Sequence, residues 1–225
     1  MTGRPKLLDL FSGAGGAGAG YARAGFEVTG VDIEPMPRYP FTFVQADALE
    51  YVREHGGEYA VIHASPPCQA FTAYRRRGHG VGEGYPDLIE ATRAALGATG
   101  RPYTIENVPT APLLPGAVTL CGSSFGLDVR RHRLFEASWP LVAPPCDHGW
   151  QAPRFPSATN RPNLRSTVEV GVWRIPVEVQ RRAMGIEWMT LRELSEAIPP
   201  AYTEYIGRQL LTAMPDAGDT EGGVV

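Results

Sequence analysis

The stretch DLFSGAGGAGAG, Asp9 to Gly20, constrains this chain more than any other. It continues the apolar run KLLDLF and carries G-x-G-x-x-G at Gly13, Gly15 and Gly18. That pattern marks a strand-to-helix turn, where glycines let a ligand approach the backbone and the helix N-terminal amides. Asp32 follows the first of these glycines by 19 residues, near the spacing of a carboxylate that accepts ribose hydroxyls. Asp47, in QADA, occupies the matching place after the next strand, where a carboxylate can accept from an adenine amino group. Loop and acids fit a nicotinamide dinucleotide and S-adenosylmethionine equally, so a dehydrogenase stays open at this stage.

The rest of the chain supplies the frame such a loop needs. Short strands are predicted at 6–11, 28–32, 41–45, 59–64 and 103–107 from β-branched and aromatic content. Between them, GAGYARAG and ALEYVREHG read as helices ending in glycine, and PDLIEATRAALGATG opens with proline and closes with glycine. This alternation predicts an α/β fold, a mostly parallel sheet with crossover helices. Residues 137–175 hold six prolines and no sustained period, and are predicted to be mostly loop. Helical patterning returns in PVEVQRRAMGI, TLRELSEAI and PPAYTEYIGRQLL.

Composition narrows the partners. With 43% hydrophobic and 20% charged residues in 225, the chain reads as globular, and only the tail at 215–225 is expected to be disordered. No stretch approaches the ~20 apolar residues of a membrane span, and Asp9 interrupts the first apolar run too early for a signal peptide. A soluble, cytoplasmic protein without a membrane partner is expected; the oligomeric state stays open. Cys68, Cys121 and Cys146 are widely spaced and odd in number, which argues against a disulfide framework. A net charge of −3 gives no global attraction to nucleic acid, so local arginines must carry any such contact. They occur at Arg75-Arg76-Arg77, at Arg130, Arg131 and Arg133 around His132, and at Arg154, Arg161, Arg165 and Arg174.

ASPPCQAF, Ala64 to Phe71, separates the cofactor readings, because it lies directly after the fourth predicted strand, where open α/β sheets meet their ligands. Two prolines fix the backbone before Cys68 and a polar residue, Gln69, follows it, a setting that suits a reactive thiol better than core packing. Glu106 and Asn107 end the fifth strand, where a carboxylate must face a cleft or a partner. Cys68 and Glu106 thus offer a nucleophile and a proton-holding acid on neighbouring strand ends.

At these residues the chain resembles the cytosine-carbon-5 DNA methyltransferases. DLFSGAGG, GVDIEP, QADA, SPPCQ, ENV, VRRHRLFE, QRRAMGIEW and AIPPAYTEYIG resemble that family's motifs in order, from residue 7 to about 210. The resemblance implies a Rossmann-like, class I S-adenosylmethionine-dependent methyltransferase with helices on both faces of the sheet and a reduced recognition insertion. It implies that Cys68 adds to cytosine carbon 6, that Glu106 holds ring nitrogen 3 through a proton, and that Arg133, with Arg131 on the same side of one strand, reaches the cytosine carbonyl. S-adenosylmethionine is then expected against Phe11, Ser12, Gly13, Gly15, Gly16, Asp32, Ile33, Asp47, Ala48 and Pro66. Gly18 and Gly20 are left to helix packing. DNA is expected against Gln69, Arg75, Arg76, Arg77, Arg154 and Arg165, with the target base flipped from the duplex.

The implied organisation is a catalytic and cofactor-binding region at 1–136, a minimal recognition segment at 137–175, and C-terminal helices at 176–214 returning to the first region. The chain departs from the family pattern at Val129, where glutamine is usual, and at Ser195-Glu196, where glycine-asparagine is usual. A recognition segment of 39 residues can hardly fold a core of its own, so Arg154, Arg161, Arg165, Trp173 and Arg174 are expected to form an element that reads little sequence. Cys146 and His148 invite a zinc reading, but they are two ligands, with only Cys121 and His132 nearby, and no metal is assigned. An RNA acceptor and a cofactor-binding pseudoenzyme remain as alternatives. A dehydrogenase now leaves SPPCQ, ENV and RRHR without a role.

Overall fold

The computed structural model describes residues 3–69, 71, 87–152 and 165–214. Seven strands form one sheet: β1 (Lys6–Leu10), β2 (Glu27–Asp32), β3 (Thr42–Gln45), β4 (Val61–Ala64), β5 (Tyr103–Asn107), β6 (Val118–Leu120) and β7 (Arg133–Ala137). Their order is β3-β2-β1-β4-β5-β7-β6. The first five are parallel to their neighbours, while β7 runs antiparallel to both β5 and β6. The short β6 was not predicted. A second sheet is only a two-residue parallel pair, β8 (Gln151–Ala152) with β9 (Arg165–Ser166), so the segment expected to be mostly loop is so where described.

The apolar runs explain the layers. Leu7 and Leu8, or Val61 and Ile62, are both fully buried because adjacent strand residues face opposite sides and both sides are covered. Leu7, Val28 and Val61 pack with Tyr21, Tyr202, Ile206 and Leu210; Leu8, Leu10 and Ile62 pack with Ala48, Val52 and Leu96. The first layer contains α1 (Gly16–Ala24) and the last helix, α6 (Pro200–Ala213). The second contains α2 (Ala48–His55) and α3 (Ile89–Ala98). Between α3 and α6 in sequence come the short α4 (Val177–Met184) and α5 (Leu191–Glu196).

Helices α1 and α6 approach so closely that a Cβ on Gly20 would stand 2.1 Å from the carbonyl oxygen of Pro200. Gly20 therefore serves helix packing, as expected. The Thr203 hydroxyl donates to the Ala17 carbonyl at 2.7 Å across the same contact. A third cluster joins Ala14 of the glycine loop to Ala183, Met184, Ile186, Met189 and Leu194, and Trp188 Nε1 donates to the Ala14 carbonyl at 2.7 Å. The C-terminal helices thereby hold the loop from outside. Strand order reverses between β1 and β4, and the crevice beyond their C-terminal ends is where this topology admits a ligand.

Candidate active site

A cavity of about 490 Å³ opens at that crevice. Its wall combines Phe11, Ser12, Gly13 and Gly16 after β1, Asp32 ending β2 and Ile33 after it, Ser65 to Gln69 after β4, and Glu106 near the end of β5, with Arg133 opening β7. Eleven expected site residues thus meet in one space: Phe11, Ser12, Gly13, Gly16, Asp32, Ile33, Pro66, Cys68, Gln69, Glu106 and Arg133.

The glycine loop is built for contact. Gly13 and Gly15 take positive φ, +47° and +87°, and a Cβ on Gly15 would press on Pro40 at 2.9 Å, whereas one on Gly13 would meet open space. Phe11 also has φ of 53°, a left-handed conformation unusual for a bulky residue and the kind of strain that gathers at functional sites. Asp32 is held by the backbone amides of Gly13, at 2.9 Å, and Glu34, at 3.1 Å, which fix its carboxylate at the cavity wall. Ile33 beside it is 66% exposed, an apolar lip over the same space.

These features fit S-adenosylmethionine. A turn with an open Gly13 admits the methionine end, Asp32 suits ribose hydroxyls, and Ile33 offers an apolar face to a base. Apart from the buried Asp9 and Glu106, the wall also carries four carboxylates (Asp32, Glu34, Glu193, Glu196) against three guanidinium groups (Arg38, Arg133, Arg192), a balance that suits a sulfonium and an ammonium group.

Further along the same row of strand ends, beyond β4, β5 and β7, the reactive groups are positioned by backbone and buried polar bonds. Asn107 Nδ2 donates to the Pro66 carbonyl at 2.9 Å, and the Phe71 amide donates to the Cys68 carbonyl at 2.9 Å, fastening the Cys68 turn on both sides. Arg133 Nε lies 3.1 Å from Glu106 Oε1. Burial pushes the Glu106 carboxyl above the ordinary carboxylate range, against the opposing pull of Arg133. Burial, then the Glu106 carboxylate, push the Cys68 thiol up, and Arg133 opposes both. Glu196, one of the departures from the family pattern, adds to the upward push on Cys68.

Behind Glu106 runs a polar chain. The Ser65 hydroxyl bonds the Glu106 carboxylate, His63 Nε2 lies 3.0 Å from the Ser65 Oγ, and the Tyr21 hydroxyl lies 3.2 Å from His63 Nδ1. Burial lowers the His63 pKa to about 3, so this imidazole is neutral: it accepts from Tyr21 and donates to Ser65.

Other expected residues stand apart. Arg131 does not join Arg133, because β7 begins only at Arg133 and Arg131 adopts a φ of 40°, which breaks the alternation that would align them. Its guanidinium instead donates to the carbonyls of Ala197 (2.7 Å), Ser195 (2.7 Å) and Leu194 (3.3 Å), closing the end of α5. Burial, then Arg133, lower its pKa to about 9. Asp47 and Ala48 are absent from the cavity wall; Asp47 caps α2, accepting from the amides of Leu49 and Glu50 at 2.9 Å. Gly15 supports the turn from behind the wall. Val129 is buried in the third core cluster and takes no part in the cavity.

Gln69 lines the cavity, but Arg75, Arg76, Arg77, Arg154 and Arg161 lie outside the described residues, and of Arg165 only the backbone is described. Trp173 is 76% exposed, with the Arg174 guanidinium 5.0 Å from its ring centre.

Asp9 was missed. It is fully buried at the cavity wall, its Oδ2 accepts from the Tyr39 hydroxyl at 3.0 Å, and burial raises its pKa to about 8. The signal was available: a carboxylate inside the apolar run KLLDLF needs a partner. Also missed was the clasp of Arg38 and Glu193, 2.8 Å apart, which ties the turn after β2 to α5 at the cavity rim.

No protein-family model matches the chain. Among known proteins, it is 29% identical over 164 residues to the type II methyltransferase M.AgeI of Thalassovita gelatinovora, a match covering 58% of this chain and 38% of that protein. It is 32% identical over 91 residues to the type II methyltransferase M.HgiGI of Herpetosiphon aurantiacus, covering 34% of this chain and 70% of the relative. The chain belongs to the type II methyltransferases. The whole fold of this methyltransferase matches that of S. pombe Dnmt2 methyltransferase, with a TM-score of 0.57 at 14% identity over 93% of this chain and 99% of the other. A Spodoptera frugiperda DNMT2 structure gives 0.56 at 14% identity, over 92% and 98%. The methyltransferase thus shares the Rossmann-like fold of these structures, a mostly parallel sheet with helices on both faces.

Proposed function

We propose that this methyltransferase methylates carbon 5 of cytosine in DNA through a covalent adduct between Cys68 and carbon 6. The observation that carries this reading is the meeting of Cys68, Glu106 and Arg133 at one wall of the cavity whose other wall fits the cofactor. When bound, S-adenosylmethionine supplies an electrophilic methyl group on its sulfonium sulfur.

Cys68, as thiolate, adds to carbon 6 of a flipped cytosine. Glu106, with its raised proton affinity, gives a proton toward ring nitrogen 3, so the electron pair displaced from the 5,6 double bond is held at carbon 5 without a full ring charge. Arg133 keeps the Glu106 carboxyl in place and offers a guanidinium to the cytosine carbonyl oxygen. Carbon 5 takes the methyl group, leaving the electron pair of the broken bond on the former sulfonium sulfur, now a thioether. Loss of the carbon 5 proton to a base, return of the nitrogen 3 proton to Glu106 and departure of the Cys68 sulfur then restore the ring, the carboxyl and the thiolate. Gln69, beside Cys68, faces the emptied base stack, and Trp173 with Arg174 offers a stacking surface beyond the cavity.

Labelled-methyl transfer and trapping on 5-fluorocytosine DNA test the proposal. Wild-type protein is expected to give both transfer and a covalent complex, and Cys68→Ala neither. Methylation of an exocyclic amino group, which needs no thiol, would survive Cys68→Ala and overturn the reading. Preference for tRNA over duplex DNA in competition would overturn the choice of acceptor.

A further inference from the structure

Outside the cavity, two short elements and a proline-bounded loop bring four metal-binding side chains together. Cys121 follows β6, His132 immediately precedes β7, and Cys146 and His148 come from the loop beyond β7. Their donor atoms all lie within 4.8 Å of one another, and none of the four lines the cavity. Both imidazoles present Nε2 to sulfur: His148 Nε2 is 2.9 Å from Cys146 Sγ and 3.3 Å from Cys121 Sγ, and His132 Nε2 is 3.4 Å from Cys146 Sγ.

We propose that Cys121, His132, Cys146 and His148 bind one structural zinc ion. Two thiolates and two imidazoles are the ligand set of a closed tetrahedral site, and they balance the charge of a divalent ion. Bond lengths of about 2.3 Å to sulfur and 2.0–2.1 Å to nitrogen make the sulfur–nitrogen edge of such a tetrahedron about 3.6 Å. The three short sulfur–nitrogen edges, 2.9, 3.3 and 3.4 Å, open slightly to reach it, and the remaining separations, all within 4.8 Å, adjust by side-chain rotation. Cys121 is buried and Cys146 exposed, so the site spans from core to surface.

Surrounding groups hold the ligands in place. The Ser123 hydroxyl donates to Cys121 Sγ at 3.2 Å and lies 3.7 Å from Cys146 Sγ, the outer hydrogen bonds a zinc-bound thiolate accepts. Between the loop ligands, Asp147 Oδ1 accepts from the Gly149 amide at 2.7 Å, and the Gln151 amide donates to the His148 carbonyl at 3.1 Å, so the chain turns back on itself at the site. The Ser124 hydroxyl donates to the Pro145 carbonyl at 2.8 Å, joining the same loop to the turn after Cys121.

The ion would do what the loop's residues cannot. Among the described residues, the stretch 138–152 brings to the hydrophobic core partly buried Trp139, Leu141 and Ala143 alone, so a metal cross-link adds the anchor that apolar packing does not supply. His132 adjoins Arg133, and zinc would thus fix the start of the strand that carries the Glu106 partner.

Metal analysis of the full chain, purified without chelator from cells grown with zinc, tests this. One zinc per chain is expected, falling at least fivefold in Cys146→Ser and His148→Ala while Cys68→Ser keeps it. Cobalt added to chelator-treated wild-type protein is expected to give the intense visible bands of tetrahedral thiolate coordination, a readout that needs no variant to fold. A folded wild-type chain that takes up neither metal would overturn the proposal. So would a Cys121–Cys146 disulfide in protein purified without reductant, or loss of zinc in Cys68→Ser alone.

Discussion

The crevice beyond β1 and β4 and the edge built around β6 and β7 meet at Glu106 and Arg133, yet they are held in different proportions by backbone and side chain. In the crevice, backbone groups position most of the chemistry: the Ser12 amide donates to the Val31 carbonyl at 3.1 Å and the Ser65 amide to the Leu10 carbonyl at 3.1 Å, continuing the sheet past its strands, with the Asn107 and Trp188 side chains assisting. At the edge, side chains hold backbone. Arg131 donates to three carbonyls around the end of α5, Tyr202 donates to the carbonyls of Arg130 (3.1 Å) and Arg131 (2.9 Å), and buried Gln151 donates to those of Leu127 (2.9 Å) and Val129 (3.4 Å). A site of the first kind can lose a functional side chain and keep its shape. A region of the second kind loses structure with each donor removed.

Glu106→Gln gives the largest expected effect and falls on the crevice side. Removing the transferable proton should lower methyl transfer by about 10²–10⁴-fold, the range for a positioned general acid, with unfolding stability little changed. The substitution also removes the carboxylate that raises the Cys68 thiol, so the pH profile of Cys68 alkylation should move to lower pH. Because the two groups interact, each profile reports the pair. An unmoved alkylation profile would separate Cys68 from Glu106 and break the site.

Arg133→Ala and Arg131→Ala set the two regions against each other directly. Arg133→Ala should cost roughly 10²–10³-fold in transfer, the usual loss on removing one electrostatic donor. Its stability cost should be small, because Glu106, already of raised proton affinity, neutralises when its partner goes. Arg131→Ala should cost about 1–2 kcal/mol of stability, since the partly buried Ala197 carbonyl and the exposed Ser195 carbonyl at the end of α5 lose their charged donor. Urea unfolding and single-turnover rates measured on both variants check the contrast. Equal stability losses would erase the distinction drawn between the two regions.

This contrast also explains what could be read from the sequence. The crevice was legible because each of its parts is local: DLFSGAGG, SPPCQ and IEN each place a loop at the end of one strand, and the sheet order then brings those ends together. The alternation of strands and helices through residue 107 was legible for the same reason. At the edge, the outcome depends on backbone angles and distant partners. Nothing local to RRHR shows that Arg131 takes a left-handed conformation and turns away from Arg133. Likewise, Cys121 and His132 could be named as the nearby candidates for Cys146 and His148 but not joined to them, until β6 and β7 pair antiparallel and bring the ends of the two segments together. Asp47 shows the converse: its place after β3 matches a cofactor contact and an N-cap equally well, and the structure provides the cap.

Asp9 supplies a pH test inside the crevice. Its folded-state pKa, about 8, lies above the ordinary value of 3.8, so between those values the folded chain holds a proton that the unfolded chain releases. Stability should therefore fall as pH rises through that window, by up to about 1.4 kcal/mol per unit from this group. Asp9→Asn keeps an acceptor for the Tyr39 hydroxyl and removes the titration, so its stability advantage over wild type should grow from pH 5 to pH 8. Parallel pH profiles for the two proteins would mean that Asp9 stays ionised in the fold.

The smallest effect is expected where the two kinds of support combine, at the rim. Arg38 and Glu193 form a two-pronged pair whose side chains are 46% and 14% exposed. Solvent screens the pair, and Glu193 is held independently by its capping box with Thr190. Arg38→Ala should therefore lower Tm by no more than a few degrees. Both residues line the cavity, so the variant's KM for S-adenosylmethionine should rise more than its kcat falls. A fall in Tm as large as that of Arg131→Ala, well outside what an exposed pair supplies, would place the rim with the edge, as a region built by side chains. A fall in kcat at unchanged KM would show that the clasp acts on the wall holding Cys68 rather than on the cofactor.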